Sequence, residues 1–442
     1  MNAPSPELGA ALDVATDGLA LQESTAVATR RGVAEQRRSR TALSLPLHAL
    51  SLVDVDGVLR FEHTRAPQLA AGRRRRRQTV VGLGGTVVRE FQFESLPPSD
   101  IGRYLDTLDR KLNPARGIRQ LRWTAKGAVL EAPGAPKPGR TLLFVHGTFS
   151  RSESFLNAFN ATEHGRVFLQ TISKPPSRGG AYAQVLTFDH ATVGVSPVMN
   201  AFDLARATQE IPGPIDVICH SRGGLVTRWW LTGFRPDFGD ARVVFVGAPL
   251  AGTSLAAAPR LKESLEFVSN IANVFVGAST LASVAVPLLS VATGLMKVVA
   301  SVTSLSAGAP LLDAVMAMIP GLAAQGRVGN NPELLRLQQL VGEAPPRWYG
   351  VQANFEPDPV GWKFWKRFVR LGSEITDAAS DLVFRDRNDL VVDTGSMSTL
   401  SDTMRIPAKR TLDFGTTGLV HHCNYFEQPQ TTQFLTQVLG TP

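Results

Sequence analysis

Cysteine is scarce in this sequence: only Cys219 and Cys423 occur among 442 residues. So few cysteines exclude a secreted scaffold held together by several disulfides and indicate a reducing compartment. The first twenty residues also lack a basic stretch followed by an apolar one, the pattern of a secretory signal peptide. The sequence therefore predicts a cytoplasmic protein.

Charge is distributed unevenly along the chain. The net charge is +8, and residues 1–140 hold 22 Lys and Arg against 14 Asp and Glu, whereas the rest holds 24 of each. The run Arg73 to Arg77 has no interleaved aromatic residues and no accompanying nucleic-acid motif. Such a run is typical of a solvated loop, with a patch for nucleic acid or anionic lipid as the alternative. We expect no nucleic-acid partner.

Composition divides the chain into four parts. Residues 1–40 are rich in Ala, Thr, Ser and Arg without an apolar period, which predicts a disordered arm. Residues 41–131 contain short alternating apolar runs and one helically spaced segment, which predict a small, β-rich N-terminal α+β subdomain. A Pro/Gly-rich linker at 132–140 then precedes a main domain at 141–442.

The main domain alternates between apolar strands and helices. Near-continuous apolar strands occur in "RTLLFVHG", "AYAQVLTFDH", "PIDVICHS" and "ARVVFVGAP", and helical patterns follow the second and third of them. Strands that are apolar on both faces and alternate with helices predict a mostly parallel sheet flanked by helices.

A sharp strand-to-helix corner is predicted at Ser221, where "PIDVICHS" meets "RGGLVTRWWLTG". A nucleophile elbow places a serine on such a corner, at the carboxyl end of a sheet. The residues two before and two after the serine nearly touch, so both must be small; Gly223 satisfies this fully, and Cys219 is small enough to fit. The pattern predicts that Ser221 is a nucleophile, with an ordinary turn as the alternative.

The earlier strand end "FVHGTF" supplies candidates for an oxyanion hole. We expect the backbone N–H groups of Thr148 and Arg222 to face the negative charge that develops during attack on an ester. His146 precedes the nucleophile in the chain, so we expect it to brace this loop and not to act as the base.

The motifs "LLFVHGTF", "HSRGG", "RNDLVVDTGSM" and "HHCNYF" resemble the oxyanion strand, elbow, acid turn and histidine loop of α/β-hydrolases. Within that superfamily the chain resembles the lipase-like branch, which includes bacterial lipases and GPI-inositol-deacylase-like serine hydrolases. The resemblance extends from Arg140 to the C-terminus. It implies an α/β-hydrolase fold and a triad in the order Ser221, Asp389, His422.

The choice within two motifs stays open at this point. Asp386 and Asp393 are the alternatives to Asp389, and His421 is the alternative to His422. The family has glycine after the acid, where this chain has Leu390, so the type of that turn is uncertain.

A long uncharged segment lies between the strand "ARVVFVGAP" and the acid turn. No charge occurs from Phe267 to Met296, and Lys297 is the only one before Leu312. This length exceeds that of a membrane span, but the segment is rich in small and polar residues and is interrupted by Pro287. Because the resembled fold inserts a lid here, the sequence predicts an apolar helical lid at about 255–330, with a membrane-embedded hairpin as the alternative.

Residues 361–372, "GWKFWKRFVRLG", combine tryptophans and basic residues. On a helix the tryptophans share one stripe and the basic residues another. The segment is predicted to be a surface helix whose tryptophans pack on the core, with peripheral membrane contact, through it and the lid, as the alternative.

The residues and the resemblance together predict a serine ester hydrolase. It would cleave hydrophobic or lipid-like carboxylic esters through an acyl-enzyme on Ser221, with no metal or organic cofactor. An acyltransferase with the same triad and a non-catalytic lipid-binding module are the alternatives.

Overall fold

The structure is a computed structural model that describes residues 6–23, 47–55, 57–65, 85–235, 241–256, 261–276, 282–303, 315–327, 331–340, 347–356 and 387–440. The run Arg73 to Arg77, the predicted helix at 361–372 and Asp386 lie outside the described residues. The chain divides into two compact units. The small unit comprises Met1–Leu108 and Ala258–Met318, and the large unit comprises Asp109–Ala257 and Ile319–Pro442.

The strands, in chain order, are β1 (Gln22–Glu23), β2 (Leu47–Val55), β3 (Val58–Arg65), β4 (Thr86–Glu94), β5 (Gly117–Thr124), β6 (Gly127–Glu131), β7 (Thr141–Val145), β8 (Gln184–Asp189), β9 (Ile215–His220), β10 (Val243–Val246), β11 (Trp348–Phe355) and β12 (Thr411–Thr417). The helices are α1 (Pro6–Thr16), α2 (Pro98–Leu112), α3 (Ser152–Asn160), α4 (Glu163–Ile172), α5 (Pro197–Thr208), α6 (Gly223–Trp229), α7 (Leu261–Val276), α8 (Ala282–Thr303), α9 (Pro320–Ala323), α10 (Pro332–Gln339) and α11 (Pro429–Leu439).

The large unit is built on an eight-stranded sheet in the order β12-β11-β10-β9-β7-β8-β5-β6. The strands from β12 to β8 pair in parallel, and β5 and β6 add an antiparallel edge. Every residue of β7, β8 and β10 is buried, because apolar clusters lie on both faces of the sheet. The predicted mostly parallel sheet flanked by helices is confirmed.

A buried ionic network stabilises the amino-terminal ends of the central strands. Asp216 is fully buried and accepts hydrogen bonds from Arg140 Nη1 (2.8 Å) and Arg242 Nε (2.9 Å). Tyr182 Oη donates to Asp216 Oδ2 (3.0 Å) and to the Leu439 carbonyl (3.0 Å). Because Asp216 has several partners, its charge is compensated inside the protein.

The small unit joins the N-terminal segment to the apolar insertion. Its four-stranded antiparallel sheet has the order β1-β4-β2-β3. The Asn270 side chain, on α7, donates to the Leu59 carbonyl and accepts from the Leu59 N–H, both at 2.8 Å, and Glu266 Oε1 accepts from the Phe61 N–H (3.0 Å). Ser290 on α8 donates to the Ala15 carbonyl of α1 (2.8 Å). Helices of the insertion thus pair with the edge strand β3 and contact α1.

The observed division differs from the predicted one in three ways. Residues 6–16, within the predicted arm, form helix α1, whose Leu8, Leu12 and Ala15 are buried. Residues 109–131 belong to the large unit, because β5 pairs with β8 across a long sequence separation. Most of the predicted lid groups with the N-terminal segment, because its apolar helices pack on α1 and β3. Composition and local periodicity do not reveal such long-range pairing.

In the described part of the chain, one helix is long and apolar enough to cross a membrane, Ala285–Thr303 within α8. Within the small unit, 83% of the apolar stretch of this helix is buried, as in the core helix of a folded domain. Its single charge, Lys297 Nζ, donates to the carbonyls of Leu19 (3.1 Å) and Ala20 (2.8 Å). Burial lowers the pKa of Lys297 to about 8. The role of the insertion as a lid stays a prediction.

Candidate active site

The predicted corner at Ser221 joins the end of β9 to the start of α6. Ser221 has φ +52°, in the left-handed region that non-glycine residues rarely adopt. Its N–H donates to the Val246 carbonyl (2.9 Å), and its carbonyl accepts from the Gly224 N–H (2.9 Å). A Cβ on Gly223 would lie 2.3 Å from the Val145 carbonyl oxygen, so glycine is required there. A strained serine on a hydrogen-bonded strand-to-helix turn has the geometry of a nucleophile elbow.

Cys219 occupies the position of the first glycine in the elbow pattern. It is fully buried, and its thiol donates a weak hydrogen bond to the Val244 carbonyl (3.5 Å). Burial raises the pKa of this thiol, so it stays protonated and unreactive at neutral pH. Cys219 therefore acts as a small packing residue beside the corner, whereas Cys423 is exposed.

The predicted oxyanion loop lies against the corner. A Cβ on Gly147 would come within 2.7 Å of Ser221 Cβ, so the absence of a side chain allows this approach. Among the described residues, neither the Thr148 N–H nor the Arg222 N–H donates to a protein acceptor. The Thr148 hydroxyl donates to Gln325 Oε1 (2.8 Å), which anchors the loop. Whether these two amides bind an oxyanion stays a prediction.

His146 braces this loop, in the position expected from its place in the sequence. Its Nε2 accepts from Asn113 Nδ2 (3.0 Å) and from the His190 N–H (3.1 Å). Nδ1 is therefore the protonated nitrogen and donates to the Gly147 carbonyl (2.9 Å). Burial lowers the pKa of His146, although Asp189 partly opposes this effect, so the ring is neutral.

Asp389 and His422 form a buried acid–base pair. With the carboxylate ionised, His422 Nδ1 donates to Asp389 Oδ2 (2.8 Å), and Oδ1 accepts from the N–H groups of Val391 (3.1 Å) and Val392 (2.8 Å). Burial alone would raise the pKa of Asp389. The charge and hydrogen bond of His422, together with the two amides, outweigh burial and hold that pKa below its usual value. In the neutral tautomer that makes this bond, Nε2 is the acceptor nitrogen of the ring.

Two of the alternative residues, Asp393 and His421, have other partners. Asp393 accepts from the Ser254 N–H (3.1 Å) and pairs with Arg327 Nη2 (3.1 Å), so it ties loops together. His421 Nδ1 accepts from the Cys423 N–H (3.3 Å), and burial lowers the pKa of His421 to about 4. The structure therefore brings Asp389 to His422 and keeps their neighbours apart from this pair.

The acid turn keeps the conformation for which glycine is usual. Leu390 has φ +89°, in the left-handed region, and its N–H donates to Asn388 Oδ1 (2.9 Å). The Asp389 N–H donates to the Val392 carbonyl (3.1 Å). The substitution of leucine for glycine thus leaves the turn closed at the cost of local backbone strain.

Sequence reasoning missed two residues beside the pair. His220 Nε2 donates to the His422 carbonyl (2.9 Å), which links the residue before Ser221 to the histidine loop. Burial lowers the pKa of His220 to about 3, with a further contribution from the charge of His422. Tyr425 Oη donates to Asp389 Oδ2 (2.9 Å). The motif "HHCNYF" contained this tyrosine, but only the folded chain shows its partner.

Asp109 was also missed, because it lies on a helix far from every motif. Its carboxylate accepts from the N–H groups of Thr192 (2.7 Å), Val193 (2.9 Å) and Gly194 (2.7 Å). The buried Arg222 guanidinium donates to the Val195 carbonyl of the same segment, and burial lowers the pKa of Arg222 to about 10. Arg222 therefore stays charged at neutral pH and fixes this segment beside the corner.

The described residues contain no group of three or more His, Cys, Asp or Glu side chains that could hold a metal ion. This edge of the sheet carries a serine, an imidazole, a carboxylate and backbone amides.

Comparison with known proteins gives one family and several distant structures. The family described as "Domain of unknown function (DUF7379)" matches residues 113–440. No curated protein matches the chain.

Lipases and esterases are among the similar solved structures. The mature lipase BlEst2 of Bacillus licheniformis is 14% identical, with 70% of this chain and 94% of that chain covered and a TM-score of 0.36. Lipase 1 of Pelosinus fermentans is 14% identical (69% and 98% covered, TM-score 0.37). An esterase of Thermogutta terrifontis is 15% identical (74% and 100% covered, TM-score 0.35).

Proposed function

The chain belongs to the DUF7379 family, whose description names no activity, and we propose from the site itself that the protein is a serine hydrolase acting on carboxylic esters. The observation that carries the proposal is the 2.8 Å hydrogen bond between the buried Asp389 and His422, at the same end of the sheet as a strained Ser221. The three residues follow the chain order serine, acid, histidine.

In the proposed reaction, His422 Nε2 removes the proton of Ser221 Oγ as the oxygen attacks the ester carbonyl. The backbone N–H groups of Thr148 and Arg222 stabilise the oxyanion, each by about 2.7–4 kcal/mol. His422 then protonates the leaving alcohol, and an acyl group stays on Ser221. Water, activated by His422, releases the acid. Asp389 holds the imidazole in the required tautomer.

We further propose that the substrate is a hydrophobic or lipid-like ester. Support comes from the uncharged run Phe267 to Met296, which lies in the sequence where the resembled fold inserts a lid. An apolar lid would favour a hydrophobic acyl chain. The alternatives are an acyltransferase, in which another alcohol replaces water, and a module without catalysis.

The nucleophile is tested with a fluorophosphonate probe and an esterase assay. We expect wild-type protein to react at Ser221, and Ser221→Ala to lose labelling and at least about 10³-fold in rate. Ser173→Ala is a matched control, because Ser173 lies at the C-terminal end of α4 and not at the corner. This variant should keep both the labelling and the esterase rate. Full activity in Ser221→Ala would refute the mechanism.

Substrate class is tested with p-nitrophenyl esters of increasing acyl length, with and without a competing alcohol. We expect kcat/KM to rise with chain length and free acid to be the main product. A preference for acetate would contradict the lipid-like substrate, and ester formation with the alcohol would identify an acyltransferase.

A further inference from the structure

Tyr425 adds a further hydrogen-bond donor to the acid–base pair. Its Oη donates to Asp389 Oδ2 at 2.9 Å, the same oxygen that accepts from His422 Nδ1 at 2.8 Å. Tyr425 is fully buried. One carboxylate oxygen therefore divides its charge between the phenol and the imidazole.

The backbone is shaped to allow this convergence. Gly247, directly after β10, has φ +54°, and a Cβ there would lie 2.8 Å from Tyr425 Cε2 and 3.1 Å from Asp389 Oδ2. The same Cβ would lie 3.3 Å from His422 Nδ1. Glycine at this strand end thus lets the ring, the carboxylate and the imidazole meet.

The other oxygen of the carboxylate is already occupied by two backbone amides, from Val391 and Val392. If the donor at Oδ2 is lost, the Asp389 carboxylate cannot rotate toward solvent without breaking these two amide hydrogen bonds. Burial and the charge of Asp389 raise the pKa of Tyr425 well above its usual value. The phenol therefore stays protonated and remains a hydrogen-bond donor at neutral pH.

We propose that Tyr425 is a positioning residue, which orients Asp389 and limits the charge that this carboxylate presents to His422. The inference rests on the proposed function. A donor that shares an anion weakens the pull of that anion on a second donor. Without the phenol, the carboxylate would stabilise the imidazolium more strongly and would be held less firmly.

The test compares Tyr425→Phe with Tyr182→Phe. Tyr182 is a matched control, because it is also buried and also donates to a buried aspartate, Asp216, at 3.0 Å, but at the amino-terminal ends of the strands. In Tyr425→Phe we expect the acid limb of kcat/KM to move up by about half a pH unit. We expect kcat to fall about 3–10-fold with KM nearly unchanged. Tyr182→Phe should leave the acid limb in place.

An NMR titration of the His422 imidazole, without substrate, gives a second readout. Its pKa should rise in Tyr425→Phe by the same amount as the acid limb. The inference would be overturned if neither the acid limb of kcat/KM nor the His422 titration moved in Tyr425→Phe, or if both moved equally in Tyr182→Phe. A purely structural role of Tyr425 would lower stability without moving the acid limb or the titration. If wild-type Ser221 fails to react with the fluorophosphonate, the proposed function fails, and the titration alone decides the role of Tyr425.

Discussion

At the scale of single residues, the site depends on places where no side chain fits. Gly147, Gly223 and Gly247 each bring backbone within van der Waals distance of the nucleophile loop or the acid–base pair. The strain at Ser221 and Leu390 is maintained by hydrogen bonds of the surrounding turns. A larger side chain at these glycines would move groups whose positions the proposed chemistry requires.

Substitution of Gly223 tests this requirement. In Gly223→Ala the new methyl group would meet the Val145 carbonyl, a backbone atom of β7, so we expect a loss of about 1–3 kcal/mol in the free energy of unfolding. Labelling of Ser221 should slow as well. The measurement is urea unfolding followed by tryptophan fluorescence, with fluorophosphonate labelling rates.

Gly233→Ala serves as the matched control for Gly223→Ala. The nearest atom to a Cβ at Gly233 is 3.7 Å away, on the Trp229 ring. The change should alter the free energy of unfolding by less than about 1 kcal/mol. Equal losses in the two variants would show that close approach at Gly223 is not the cause.

At the scale of elements, the ends of β7 and β8 carry two stacked histidines. The rings of His146 and His190 are 4.0 Å apart between centroids, and both are buried. Burial lowers the pKa of each, and for His190 the neighbouring charges of His146 and Arg222 lower it further. Both are neutral in the folded protein.

This pair predicts a loss of stability in acid. In the unfolded chain these histidines take up protons near pH 6.5, whereas in the folded protein they do not. The contribution of each histidine to the free energy of unfolding is therefore complete above pH 6.5 and is lost as the pH falls below it. The slope should approach about 1.4 kcal/mol per pH unit for each histidine. Urea unfolding from pH 7.5 to 4.5, followed by tryptophan fluorescence, measures it.

His190→Phe should reduce this dependence. Phenylalanine can stack on His146 as the imidazole does, but it does not titrate. We expect the free energy of unfolding to fall less steeply below pH 6.5 than in the wild type. An equally steep decline would assign the acid sensitivity to other groups.

At the scale of the whole molecule, two distant segments of sequence form the small unit. The Asn270 side chain pairs with both backbone groups of Leu59 on the edge strand β3. An exposed edge strand invites aggregation, and a covering helix prevents it. The insertion therefore pairs with backbone groups at the edge strand of the N-terminal sheet.

Asn270→Ala should destabilise the small unit selectively. Loss of both hydrogen bonds leaves buried backbone groups unpaired, at a cost of about 2–4 kcal/mol. The four tryptophans among the described residues lie in the large unit, and the sequence of the small unit contains none; the four are Trp123, Trp229, Trp230 and Trp348. Tryptophan fluorescence therefore does not report the small unit, whereas far-UV circular dichroism reports both units. We expect an early transition in circular dichroism that fluorescence does not share.

Asn273→Ala is the control, because Asn273 lies three residues further along α7 and is only half-buried. In Asn273→Ala, the early transition in circular dichroism should be much smaller than in Asn270→Ala. Coincident transitions in Asn270→Ala would contradict a separate stabilising role for the Asn270–Leu59 pairing.

The sequence by itself determined the class of the large unit, because strands buried on both faces must be apolar throughout and helices must connect parallel neighbours. It also predicted the corner at Ser221, since a small residue on each side of a serine is a local requirement that the chain displays directly. Asp389 and His422 could be singled out from Asp386, Asp393 and His421 only by resemblance.

Only the tertiary structure decided which groups meet. The Asp389–His422 contact, its donor Tyr425 and the pairing of Asn270 with Leu59 join residues 33, 36 and 211 positions apart. Hydrophobic periodicity records which face of an element is buried, but it carries no information about the partner against which that face packs. The boundary at Asp109 was missed for the same reason: β5 joins the sheet by backbone hydrogen bonds to β8, and the sequence pattern does not specify that partner.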